Sequence, residues 1–251
     1  MNTLKDKVIL ITGALGQLGQ ASVKMFLERG AIVVANDISG LETADEIQKM
    51  LHEYGEDRVI FIQSDVSKEP QVQELAAAIE QKYKRLDGYL HNAYTAISNP
   101  VTEQTIEEWE SVMSGTLTST FLVCKHMLPV MIESGGGAIV NTSSIISQVP
   151  ATANAAYGAA KSGVNQFTRI VAHDYAKQKI RANAILPGFF RSGLSEVSEE
   201  LQKLFYDNCL LERSAKAEEV AEMAAFLLSE ASSYVTGALI PVDGGYHMKN
   251  E

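Results

Sequence analysis

Along the chain, short and nearly continuous apolar runs alternate with longer segments whose apolar residues recur every three or four positions. The runs at 7–12, 31–36, 58–63, 86–91, 138–142, 180–186 and 238–242 carry most of the β-branched residues and predict strands. They lack the in–out alternation of a half-solvated sheet, so both faces of their sheet are expected to be covered. Segments 18–29, 41–54, 69–84, 106–133, 155–177 and 216–230 predict helices. Such strand–helix alternation predicts right-handed crossovers, hence an α/β chain with a doubly wound, parallel, seven-stranded sheet and helices on both faces.

Local signals punctuate the pattern. Gly30 stands just past Arg29, where a left-handed residue ends a helix. Ser67, before Glu69 and Pro70, predicts a helix cap. The glycines at 135–137 read as a turn between a helix and a strand, not as a boundary. No repeat or linker divides the chain, so residues 1–251 are expected to form a single dinucleotide-binding and catalytic domain. Segment 189–213 breaks the regularity. It follows a predicted strand end and mixes Phe189, Phe190 and Leu194 with Ser and Glu, which suits a substrate lid.

Charge and composition narrow the partners. Among 251 residues, 46% are hydrophobic and 21% charged, a globular balance. The net charge of −10 argues against a nucleic-acid partner and against polybasic attachment to anionic lipid. No secretory signal pattern or membrane-length apolar run is present in the sequence. Cys124 and Cys209 read as ordinary thiols, and the histidines have no zinc-ligand spacing, so a cytoplasmic, metal-free protein is expected.

After the first predicted strand comes Thr12-Gly13-Ala14-Leu15-Gly16-Gln17-Leu18-Gly19, opening a helix. Glycines there permit a tight turn and let backbone N–H groups, those of Gln17 and Leu18 among them, approach a pyrophosphate. This turn makes the predicted sheet Rossmann-type. Asp37 ends the second strand, 18 residues beyond Gly19. A carboxylate in that place accepts from an adenosine ribose and repels a 2′-phosphate, so the expected cofactor is NAD. Asp65 and Val66 end the third strand at the same edge, beside the expected adenine position.

Tyr157 and Lys161 are one helical turn apart and share a helix face. A free tyrosine, with a pKa of about 10, is a poor base near neutrality; a neighbouring ammonium and an oxidised nicotinamide both favour phenolate. Lowering that pKa by about three units takes roughly 4 kcal/mol. Ser144, 13 residues before Tyr157 at the end of a strand, can hold the substrate oxygen. The set predicts interconversion of a secondary alcohol and a ketone. Ile146, Val149, Phe189 and Phe190 suggest a partly apolar substrate pocket, and Arg191 or Arg213 could bind one carboxylate.

With these residues in place, the whole chain resembles the short-chain dehydrogenase/reductase family in its compact single-domain branch. The resemblance implies catalytic roles for Ser144, Tyr157 and Lys161, with Lys161 also binding the nicotinamide ribose. It implies cofactor contacts at Asn92, Ala93, Pro187 and Gly188, and at Ser192, which stands where a threonine usually holds the nicotinamide carboxamide. It also implies a homotetramer packed through the helices predicted at 106–133 and 155–177. Three departures stand out. Gln17 occupies the usual place of the middle glycine, and the resulting spacing resembles longer family members, many of which act on nucleotide sugars. Tyr94 replaces a glycine after Asn92-Ala93, next to the expected substrate. Thr116 replaces the asparagine that helps hold a water in the proton relay to lysine; the expectation is that backbone groups near Thr116 hold that water instead. These departures also motivate an alternative, a catalytically weakened NAD-binding regulatory or scaffolding protein.

Overall fold

A computed structural model describes residues 3–190, 203 and 206–249. Its centre is a seven-stranded parallel sheet in the order β3-β2-β1-β4-β5-β6-β7. The strands are β1 (Val8–Thr12), β2 (Ile32–Asp37), β3 (Val59–Gln63), β4 (Gly88–His91), β5 (Gly137–Thr142), β6 (Ile180–Pro187) and β7 (Leu239–Val242). The helices are α1 (Gln17–Glu28), α2 (Asp45–Tyr54), α3 (Glu69–Tyr83), α4 (Ile106–Met113), α5 (Ser119–Glu133), α6 (Ala155–Asp174) and α7 (Ala217–Leu228).

Side chains that alternate along the strands feed two cores, which explains the continuous apolar runs. On one face Ile9, Ile11, Val33 and Val140 pack with Phe26 and Leu27 of α1 and Ala224 and Leu228 of α7. On the other, Val8, Leu10, Val34 and Ile139 meet Leu75 and Ile79 of α3 and Val123, Met127 and Met131 of α5. The strand order reverses between β1 and its neighbours β2 and β4. The chain therefore opens a crevice beyond the carboxyl ends of β1 and β4, the place where open α/β sheets take their ligands.

Some helix ends follow the local signals in the sequence and others do not. Gly30, at φ +92°, closes α1 as expected. Thr105 and Glu108 form a reciprocal capping box at the start of α4. Ser67 does not cap α3: Lys68 holds the cap position, and the Ser67 N–H donates to the Asp65 carboxylate at 2.9 Å, turning the loop instead. The helix predicted over 106–133 is interrupted by a π-helical turn, Ser114–Thr118, between α4 and α5. Residues 41–54 divide into a 3₁₀ turn, Leu41–Thr43, and α2.

Most of the expected lid, residues 191–202, 204 and 205, lies outside the described residues, and Arg191 and Ser192 lie there with it. The described end of that segment is tied to the turn after β7, where the Leu211 N–H donates to the Gly244 carbonyl at 3.1 Å.

Candidate active site

The glycine turn after β1 is shaped by three different demands. Gly13 has φ +63°, and a Cβ there would stand 2.9 Å from the Ala93 nitrogen. Gly19 lets α1 sit on the turn, since its Cβ would come within 2.1 Å of the Gly13 carbonyl oxygen. Gly16 is different. Its Cβ would meet only the Gly13 oxygen, at an ordinary 3.6 Å, so the protein's own packing does not demand a glycine. Gly16 is the N-cap of α1, whose first turn carries no acidic residue. A bare backbone at an uncompensated helix N-terminus fits the pyrophosphate of a dinucleotide.

That turn opens onto a cavity of about 810 Å³, lined by Gly13, Gly16, Asp37, Asp65, Val66, Asn92, Ala93 and Tyr94 among others. Asp37 accepts from the Leu15 N–H at 2.9 Å and the Ser39 N–H at 3.1 Å, which fixes its carboxylate at the cavity wall. Asn92 donates to the Gly13 carbonyl at 3.2 Å and joins the turns after β1 and β4. Gly188 packs against Asp243, where a Cβ would lie 2.7 Å from the Asp243 Cα, so the Pro187-Gly188 turn leans on the end of β7.

The catalytic candidates come together beside Tyr94, which lines this cavity and contacts both Tyr157 and Lys161. Ser144 follows β5 and caps a 3₁₀ turn, its Oγ accepting from the Ile146 N–H at 3.2 Å. Burial pushes the Tyr157 phenol above its usual range, Tyr94 adds to the rise, and a hydrogen bond with Ser144 opposes it. Lys161 is 2% exposed, and its Nζ donates to the Thr142 carbonyl at 2.6 Å. Burial brings this ammonium down to about 7. The Lys161 Nζ lies 5.6 Å from the centre of the Tyr157 ring and 5.1 Å from that of Tyr94. Burial thus holds the phenol toward its protonated form, and positive charge brought by a bound cofactor would act in the opposite sense. Ile146 flanks this cluster, 3.6 Å from where a Cβ of Gly158 would stand.

Other expected residues are placed elsewhere. Gln17 lines a separate recess with Gln20, Lys24 and Lys216. The Leu18 side chain is in the core at 2% exposure, so only its backbone belongs to the turn. Phe190 packs against the α1–α7 core instead of a substrate cavity, paired by a bridge to Ala215. Phe189 lines a pocket of about 420 Å³ with Leu210, Leu211 and Val242. Arg213 is committed to a two-pronged ion pair with Glu219, both contacts 2.7 Å, and so is not a free carboxylate receptor. Thr116 is 1% exposed in the π-helical turn. Its Oγ1 donates to the Thr95 carbonyl at 2.9 Å and accepts from the Thr95 N–H at 3.1 Å. The Thr116 carbonyl accepts from the Thr120 hydroxyl at 2.7 Å.

A buried chain beneath the site escaped the sequence reading. Thr12 Oγ1 accepts from the N–H groups of Asn92 and Ala93 at 3.1 and 3.3 Å and stands 2.8 Å from His91 Nδ1. With two donors already on it, the hydroxyl gives its own hydrogen to Nδ1, which leaves the His91 proton on Nε2, 3.3 Å from Ser119 Oγ. Ser119 in turn donates to the Gly115 carbonyl at 2.8 Å. Burial and the nearby Lys161 push His91 down to about 3, so it stays neutral. The one available signal was a polar residue closing an apolar strand.

Fold and site define an oxidoreductase built on a dinucleotide-binding sheet. A family model described as enoyl-(acyl carrier protein) reductase matches residues 13–247. The chain is 37% identical over 243 residues to cis-4-hydroxycyclohexanecarboxylate dehydrogenase of Sinomonas cyclohexanicum, covering 96% of each chain. It is 35% identical to the 3-oxoacyl-[acyl-carrier-protein] reductase of Thermotoga maritima, covering 96% of this chain and 98% of that one. The crystal structure of a gluconate 5-dehydrogenase from Burkholderia cenocepacia in complex with NADP and tartrate superposes with a TM-score of 0.92 at 26% identity, covering 99% and 98% of the two chains. The chain belongs to the short-chain dehydrogenase/reductase family, whose members bind a nicotinamide cofactor and act on alcohols and ketones. Among the described residues no helix is long and apolar enough to cross a membrane, and no cluster of three or more His, Cys, Asp or Glu could hold a metal.

Proposed function

We propose that this protein is an NAD(H)-dependent enzyme interconverting a secondary alcohol and a ketone. The observation that carries this reading is the convergence of Ser144, Tyr157 and buried Lys161 beside Tyr94, a lining residue of the cavity that Asp37 also walls. When bound, the nicotinamide accepts or returns the hydride and, when oxidised, adds a positive charge. In alcohol oxidation Ser144 holds the substrate oxygen, and Tyr157 takes the hydroxyl proton as the carbon gives up its hydride. Lys161 holds the nicotinamide ribose and keeps positive charge beside the phenol. In the reverse direction Tyr157 returns the proton and Ser144 polarises the carbonyl. Gly13, the backbone of Gln17 and Leu18, Asn92, Ala93, Pro187, Gly188 and Ser192 hold the remainder of the dinucleotide, with Asp65 and Val66 beside the adenine.

Asp37 supports NAD, since a 2′-phosphate would face its carboxylate; the NADP in the gluconate 5-dehydrogenase complex makes this the point most in need of a direct test. The substrate is a small molecule. The cyclic alcohol named for the Sinomonas relative suggests where to begin. Tyr94 and Ile146 border the reacting end, and Phe189 lines a separate, mostly apolar pocket. A homotetramer in the cytoplasm completes the reading. It is supported by half-exposed Phe121 and Ile170 on α5 and α6, with Phe121 edge-on to Phe167 at 6.3 Å.

The test is a spectrophotometric screen of secondary alcohols, cyclic ones first, with NAD and NADP in parallel. NADH formation that disappears in Tyr157→Phe is expected, and a preference for NADP would remove the role given to Asp37. The Thr116 hydroxyl, committed to both backbone groups of Thr95, favours one second reading, an NAD-binding protein without turnover. NADH binding with no product from any alcohol or ketone would select it.

A further inference from the structure

The two positions that depart most from the family pattern near the reacting groups are in contact through one residue. Thr116 holds Thr95 by both backbone groups, and Tyr94 is the residue immediately before. Gly115 makes room for this clamp, since a Cβ on it would stand 2.0 Å from Thr95 Oγ1. The segment so held carries Tyr94 across the top of the catalytic pair. Its ring centre is 5.1 Å from the Lys161 Nζ and 5.9 Å from the Tyr157 ring centre, the two planes inclined at 59°. Tyr94 is 54% exposed, so nothing in the core forces it there.

We propose that Thr116 and Tyr94 form one positioning device: the Thr116 hydroxyl clamps the Thr95 backbone and thereby seats the Tyr94 ring over the Lys161 ammonium. Thr116 in this assignment is a positioning residue, not a member of a proton relay. The groups facing Lys161 are the Thr142 carbonyl from β5, neutral His91 from β4, Tyr157 from its own helix and the Tyr94 ring from the loop after β4. Burial opposes the charged form of Lys161, and the π face of Tyr94 favours it. The device therefore keeps a cation in a dry site without placing a carboxylate where the substrate and nicotinamide must go. Its consequence for catalysis rests on the dehydrogenase reading above; its geometry does not.

The experiment follows the ¹³Cε resonance of Lys161 by NMR in the full-length protein labelled at lysine, without cofactor, assigned from its loss in Lys161→Met. Tyr94→Leu keeps bulk and removes the quadrupole, while Tyr94→Phe keeps the ring. Thr116→Val removes the hydroxyl at constant shape, and Thr116→Ser restores it. The Lys161 midpoint is expected to fall by about half to one pH unit in Tyr94→Leu and Thr116→Val, and to stay put in the other two. A wild-type midpoint in Tyr94→Leu would overturn the seat. A shift in Tyr94→Leu without one in Thr116→Val, or a shift in Thr116→Ser equal to that in Thr116→Val, would overturn the clamp. The titration needs no turnover. A protein that shows the expected pattern yet oxidises no alcohol would sink the proposed reaction and leave the device standing.

Discussion

The edge that receives the nucleotide and the edge that carries the reacting groups are adjacent, yet they are specified by different physics. At the nucleotide edge the requirements are steric: Gly13 must have positive φ, and Gly19 must let α1 touch the turn. At the catalytic edge the requirements are electrostatic. Burial works against the charged forms of Tyr157 and Lys161, and Ser144 and Tyr94 adjust the tyrosine. At Gly13 and Gly19 the first edge has no room for a Cβ, while at Tyr157 and Lys161 the second is governed by charge.

The sharpest division between the two edges comes from Tyr157→Phe, which keeps the ring and removes the proton carrier. Turnover is expected to fall by about 10²–10⁴-fold, while NADH affinity, read by fluorescence titration, stays as in the wild type. A parallel loss of affinity would mean that the two edges do not act separately.

Gly16→Ala and Gly19→Ala divide the nucleotide edge itself. Gly19→Ala drives a methyl into backbone and should cost about 1–3 kcal/mol in denaturant melts. Gly16→Ala should leave stability unchanged and weaken NADH binding by roughly tenfold, through a crowded pyrophosphate. Equal melting curves for both variants would remove the distinction. Asp37→Asn keeps size and removes charge. The ratio of kcat/KM for NAD over NADP is expected to drop by about tenfold, on the order of one ion's repulsion at partly exposed distance.

The smallest expected effect lies in stability against pH. The folded Lys161 titrates near 7 and the unfolded one near 10.5. Between those values the unfolded chain binds a proton that the folded chain lacks, so this group makes stability rise with pH in that window. Below it the folded state carries the full cost of a buried ammonium. Lys161→Met is expected to raise the melting temperature by at least several degrees near pH 6.5, with the gain shrinking as pH rises and gone only above the unfolded value of 10.5. A gain that does not depend on pH would point to packing instead of charge.

Strand and helix positions were legible because the sheet is covered on both sides and its strands advertise themselves as apolar runs. Gly13 and Asp37 were legible because spacing alone places them after β1 and β2. The interruption of the helix at Ser114–Thr118 was not, because a π-helical turn keeps helical periodicity nearly intact. Gly115 inside that stretch was the available hint, and its reason lies in Thr95, 20 residues away in sequence. Phe190 looked like pocket lining because a large apolar residue at a strand end fits core and cavity equally well. His91 was passed over as a histidine without a metal-ligand partner, when its partners are the hydroxyls of Thr12 and Ser119.

The placement of β1 also bears on how the chain reaches this structure. Thr12 pairs with Asn36 on one side and with His91 on the other. A chain growing from its N-terminus can complete the first pairing early, while the second waits for His91, which comes 55 residues after Asn36. Until β4 arrives, β3, β2 and β1 form a half-sheet whose apolar edge strand has unpaired backbone, the kind of edge that recruits strands from other chains. The contact that unites the glycine turn with the catalytic half is thus also the one that closes the riskiest interval of folding.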